Sequence, residues 1–240
     1  MNKIKEHLHS ELISGKKPFD WFFLCVGLAM QFLAIWYGFA TGTPDNLLSI
    51  ISGLSGVVSV VLCAQGKISF YLFGYIQLFT YVFGAALPNH LWGEVFENVF
   101  YFITMLYGTY VWIKRYHTRS DNGSSEVMAR KLKAVGWIVT VGSLVVGTIA
   151  LTTILALTND PLPFTDAIST VPAFIAQVLM CLGYREQWLY WAIIDVASII
   201  MFIMLGNWVM TAQFIFWTLN CLYGWVMWTK NNKYSTEECV

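Results

Sequence analysis

Eight apolar runs follow one another along this chain, each near the length of a bilayer-crossing helix and each closed by a polar break. They cover residues 20–40, 46–65, 68–87, 94–114, 134–157, 165–183, 187–205 and 208–229. A helix crosses the hydrocarbon core in about 20 residues. The breaks hold helix-stopping residues: Thr43-Pro44-Asp45, Gln65-Gly66-Lys67, Pro88-Asn89-His90, Asp160-Pro161-Leu162-Pro163, Gly183-Tyr184-Arg185 and Gly206-Asn207. Lipid offers backbone amides no hydrogen-bond partner, so runs of this length are expected as helices. The strict alternation of a membrane barrel is absent. The pattern therefore predicts an all-α polytopic membrane protein with eight transmembrane helices.

Composition agrees with this pattern, and the placement of charge adds an orientation. Charged residues make up 12% of the chain, against about 25% in soluble domains, and the mean hydropathy is +0.59. Net charge is zero, which implies no nucleic-acid partner. Lys3, Lys5, Lys16 and Lys17 precede the first run, and Lys67 separates the second from the third. Lys114, Arg115, Arg119, Arg130, Lys131 and Lys133 lie between the fourth and fifth, Arg185 lies between the sixth and seventh, and Lys230 and Lys233 follow the eighth. With eight spans, all these segments face one side and carry all 14 basic residues. By the positive-inside rule that side is the cytoplasm, with both termini in it. The first apolar run begins near Trp21 without a small-residue cleavage site, so no signal peptide is expected. The first 17 residues fit a short interfacial helix or a disordered tail equally well.

Candidate chemistry is sparse. Four of the five cysteines, Cys25, Cys63, Cys181 and Cys221, lie in apolar runs and read as small buried hydrophobes, while Cys239 is in the tail. The four histidines are scattered, and no metal-ligand spacing is visible. No metal, cofactor or catalytic set is expected. An intramembrane enzyme would show Ser/His, paired Asp or His/Glu sets within its spans, and these are missing.

The chain repeats itself. Leu106-Tyr107-Gly108, Trp112 and Lys114 match Leu222-Tyr223-Gly224, Trp228 and Lys230 at an offset of 116, and Ile51-Ser52 and Gly66 match Ile168-Ser169 and Gly183 at 117. Spans two to four and six to eight therefore read as copies of one three-helix unit. The fifth span returns the chain, so both copies enter the membrane from the same side. Parallel repeats are a carrier architecture, with the solute site expected near the midplane at the repeat interface. The organisation predicted is a cytoplasmic segment (1–19), an additional helix (20–40), the first triplet (45–116), a connector with a linker helix (117–160), the second triplet (161–230) and a tail (231–240).

Polar groups at membrane depth are candidates for function. Trp188, Trp191 and Asp195 stand at i, i+3 and i+7 on one face of the seventh span. Two indoles and a carboxylate on one stripe suit a flat cationic heteroaromatic: ring faces attract cations, and a carboxylate balances positive charge or accepts from sugar hydroxyls. Trp188 alone also fits an interfacial belt. Gln213, Trp217, Asn220 and Gly224 share a face of the eighth span, and Glu97, Tyr101, Thr104 and Gly108 are their counterparts, with Asn98 beside them. Gln77 shares a face of the third span with Tyr81, Gly74 and Gly84. The candidate set is Gln77, Asn98, Tyr101, Trp188, Trp191, Asp195, Gln213, Trp217 and Asn220. Glu97 is placed at the outer mouth and left out. Pro172 in the sixth span fits a hinge or a static kink equally.

Trp188-x-x-Trp191-x-x-x-Asp195 resembles the Trp-x-x-Trp-x-x-x-Asn/Asp signature of the PnuC vitamin transporters. The run from Ser52 through Gly84 with Lys67-Ile68-Ser69, and the Leu-Tyr-Gly before the final Trp, are also similar to that family. The resemblance covers about 45–230, and this chain carries Asp where many members have Asn. It implies a SWEET-like 3+1+3 fold with an extra N-terminal helix in a bacterial inner membrane. It implies facilitated diffusion (uniport) of nicotinamide riboside, with net uptake driven by a cytoplasmic riboside kinase, and it places Trp188, Trp191 and Asp195 at the substrate. A thiamine carrier of the PnuT type is the rival, since thiamine is also a flat cation. Association into a homo-oligomer is left open by the sequence.

Overall fold

The computed structural model describes residues 18–90, 92–120, 129–158, 163–204 and 206–230. Expectations for residues 1–17, for the middle of the connector and for the tail from 231 lie outside them. Among the described residues every predicted run is a helix: α1 (Pro18–Thr41), α2 (Leu47–Ala64), α3 (Phe70–Tyr81, continued by a π-helical turn, Val82–Ala86), α4 (Trp92–Ser120), α5 (Ala134–Leu157), α6 (Pro163–Leu182), α7 (Gln187–Met204) and α8 (Trp208–Lys230). Five of them, α1, α2, α5, α6 and α7, are long and apolar enough to cross a membrane, and Phe70–Ala86 is a shorter apolar helix. The helices group into two compact units, α1–α4 and α5–α8.

In the first unit, α2 packs on α3 through small residues. Ser52 Oγ donates to the Gln77 carbonyl (3.2 Å) and Ser59 Oγ to that of Phe70 (3.0 Å). Small and hydroxyl side chains let helix backbones approach closely where no hydrophobic drive separates protein from lipid. The Gly84 carbonyl faces Pro88 at i+4, which has no N–H to give it, and Asn46 takes it up: its Nδ2 donates to that oxygen at 2.6 Å while its Oδ1 caps α2 by accepting from Ser49 N at 2.9 Å. A side chain at Gly84 would meet Leu48 Cβ at 2.5 Å, so only glycine allows this approach.

The two units turn corners in the same way. After α2, Gly66 takes φ 69°, its N–H bonds the Cys63 carbonyl and Lys67 N–H bonds that of Leu62; after α6, Gly183 takes φ 74°, its N–H bonds the Met180 carbonyl and Tyr184 N–H bonds that of Leu179. Each is a Schellman stop, which needs a left-handed residue and so selects glycine. The next helix then starts identically, with Phe70, Tyr71 and Leu72 N–H on the carbonyls of Lys67, Ile68 and Ser69, and Gln187, Trp188 and Leu189 on those of Tyr184, Arg185 and Glu186.

The second unit also straps its corner down. Arg130 N–H donates to the Gly183 carbonyl (2.7 Å) and Arg185 N–H to that of Arg130 (3.0 Å). Glu186, fully buried, pairs with Arg185 at 3.0 Å and accepts from Leu132 N–H at 3.1 Å. The Arg185 guanidinium lies 4.8 Å above the Trp225 ring and reaches Thr229 Oγ1 on α8. A buried charge needs this level of pairing to be tolerated. Pro172 is fully buried within a continuous α6.

Candidate functional site

The predicted residues fall on four helices, three residues in the first unit and six in the second. Gln77 on α3 is exposed overall, with its amide laid over Gly56 of α2: a Cβ there would meet its Cδ at 3.1 Å. Asn98 on α4 is buried and bonds back to its own helix, Nδ2 donating to the Glu94 carbonyl at 2.8 Å. Tyr101 donates to the Glu97 carboxylate one turn away, and Tyr81 Oη reaches Glu94 at 3.4 Å. Glu97, set aside in the sequence reading, is thus tied to a candidate residue. The shared face at i and i+4 was the signal for it.

In the second unit the stripe on α7 divides between two neighbours. Trp188 turns to α8: its ring stands edge-on to Trp228 (centroids 5.8 Å apart, planes at 89°) and covers Gly224, where any side chain would collide with the indole. Asp195 turns to α8 as well, accepting on Oδ2 from the Cys221 thiol at 3.4 Å. Trp191 is half-buried and packs on the apolar cluster of Leu132, Ala176, Leu179 and Tyr190. A stripe at i, i+3 and i+7 spans about 60° of a helix, enough to touch two different partners. On α8, Gln213 and Trp217 are half-buried one turn apart, and Asn220, 2% exposed, lies next to Cys221 in sequence.

Asp195 is 6% exposed. Among the described residues its one polar partner is that thiol, and no basic side chain pairs with it. Glu186, equally buried, is neutralised by Arg185. Asp195 therefore holds an acid at membrane depth without a countercharge of its own, which is the arrangement a cationic ligand completes. Two turns before it, at the start of α7, fully buried Gln187 has neither amide atom hydrogen-bonded among the described residues, and neither Trp188 Nε1 nor Tyr190 Oη has a hydrogen-bond partner there. Buried polar atoms are rarely left so. Gln187 escaped the sequence reading because it sits at a helix start, where Gln is ordinary.

Known proteins resemble this chain over nearly all of its length. The family model described as nicotinamide mononucleotide transporter matches residues 46–230. A nicotinamide riboside transporter PnuC of Haemophilus influenzae is 33% identical over 224 residues, spanning 93% of this chain and 95% of that protein. One from Neisseria mucosa is 28% identical, spanning 92% and 84%. The crystal structure of the vitamin B3 transporter PnuC superposes with a TM-score of 0.77 at 28% identity, covering 94% of this chain and 96% of that one. The chain is a multi-pass membrane protein and belongs to the PnuC family of transporters.

Proposed function

We propose that this protein carries nicotinamide riboside into the cytoplasm by facilitated diffusion across a bacterial cytoplasmic membrane. Eight crossings place all 14 basic residues, and both termini, on the cytoplasmic side. The matched corners at Gly66 and Gly183 support two copies of one triplet, joined by α5, as the carrier frame. The observation that carries the reading is Asp195, a buried carboxylate with no cation beside it among the described residues.

The same acid favours the riboside over the mononucleotide. The riboside presents a pyridinium cation and neutral hydroxyls. A phosphate would add a charge of about −1.5 to −2, and α7 carries no basic residue to receive it. Like charges in a low-dielectric setting repel strongly. The candidate contacts on the second unit are Trp188, Trp191, Asp195, Gln213, Trp217 and Asn220, and those on the first are Gln77, Asn98 and Tyr101.

α7 carries no second titratable carboxylate or histidine beside Asp195 to relay a proton, so transport runs down the substrate's own gradient and a cytoplasmic riboside kinase keeps it running. Purified protein in vesicles loaded with kinase and ATP tests this. Radiolabel accumulates as the phosphorylated product, persists with an uncoupler present, and is outcompeted by riboside before mononucleotide or thiamine. Uphill accumulation of unmodified riboside, collapse on uncoupling, or preference for thiamine overturns the proposal.

A further inference from the structure

The thiol–carboxylate contact between α8 and α7 has a counterpart in the first unit that shows what it adds. The offsets that superimpose the corners and the paired rings, 117 on α3 and α7 and 116 on α4 and α8, carry Asp195 onto Leu78 and Cys221 onto Met105. Leu78 and Met105 are both buried, at 8% and 6% exposure. The first triplet therefore fills these two positions with buried apolar side chains, Met105 lying over Gly74, and packing does not call for a polar pair. In the second unit both members have changed, and they hydrogen-bond each other across the helix interface.

Resting on the reading of Asp195 as the substrate's countercharge, we infer that Cys221 is a positioning residue for it. A carboxylate rotates about its last bond and presents either oxygen. The Cys221 thiol donates to Oδ2 and breaks that equivalence, leaving Oδ1 to meet the ligand. A thiol is a weak donor, so it orients the group while withdrawing little of its charge.

The test uses the full chain and titration calorimetry with two ligands, nicotinamide riboside and its uncharged dihydro form. Cys221→Ala and the volume-matched Cys221→Val remove the donor, and Cys221→Ser keeps it. A partner that orients a ligand-binding side chain is worth about tenfold or more in affinity. We expect the Ala and Val variants to weaken the cation by about tenfold and the neutral form by less than about twofold, with Ser within about threefold of the parent. Asp195→Asn combined with Cys221→Ala should bind no more weakly than Asp195→Asn alone. Equal losses for both ligands, or a Ser variant as weak as Val, would mean that Cys221 only packs. If Asp195→Asn loses the cation while Ala and Val do not, the assignment of Cys221 fails alone. If Asp195→Asn changes nothing, the site reading fails and this inference with it.

Discussion

The two triplets differ most instructively where they are otherwise most alike. In the first, Tyr71 stands edge-on to Trp112 at 5.6 Å and 89°; in the second, Trp188 stands edge-on to Trp228 at 5.8 Å and 89°. All but Tyr71 belong to positions noted in the sequence, and all four are buried. One ring pair thus locks the first turn of the middle helix to the last helix in each unit. Two turns further along, the first unit places Leu78 and the second Asp195. The repeat supplies a frame twice, and chemistry is written onto one copy of it. Trp188 then reads first as part of the frame, while Trp191, whose counterpart is Gly74, has no equivalent in the other unit.

Exchanging the contrast should break the frame in one direction only. Leu78→Asp places a charge at a position that is 8% exposed, at several kcal/mol. No folded protein is expected by size-exclusion chromatography, and a stable, monodisperse Leu78→Asp variant would show that this position tolerates an acid in either copy. Removing the ring locks should come next. Trp188→Ala and Tyr71→Ala are each expected to lower stability by about 3–5 kcal/mol, seen as matched drops in melting temperature in detergent. Trp191→Ala should leave the melting temperature nearer the parent and weaken riboside binding instead. A Trp188→Ala variant that melts normally but loses binding would move that indole from frame to site.

The smallest effect concerns the helix start. Gln187 occupies the position that Phe70 fills in the first unit, where the phenyl packs 4.8 Å from Trp112. Gln187→Leu removes two buried amide atoms that have no hydrogen-bond partner among the described residues and should raise stability by about 1–2 kcal/mol. A lowered melting temperature would reveal a bound water or ligand that the amide serves.

Much of this was legible in the chain. All eight apolar runs are helices, with ends within a few residues except on α4. That helix continues past 114 to Ser120 because Lys114 and Arg115 extend a helix as readily as they end an apolar run. The glycine corners at 66 and 183 were visible as breaks. The π turn at Val82–Ala86 was not, since five small and apolar residues carry no signal for it and its stabilising partner, Asn46, is 38 residues away. Nor was the split of the α7 stripe, because periodicity assigns a face and not the neighbour that covers it. Cys221 read as a small hydrophobe for the same reason: its meaning depends on the helix opposite. The buried Glu186 and its strap from residues 130–132 likewise join segments far apart in sequence.

The most direct measurement of the central claim is a calorimetric titration of the parent and of Asp195→Asn with nicotinamide riboside, both first shown to melt alike. The variant keeps the shape and loses the charge. The variant is expected to lose affinity by about a hundredfold, in line with a charge-assisted contact in a desolvated site. An unchanged affinity in a folded Asp195→Asn protein would contradict it.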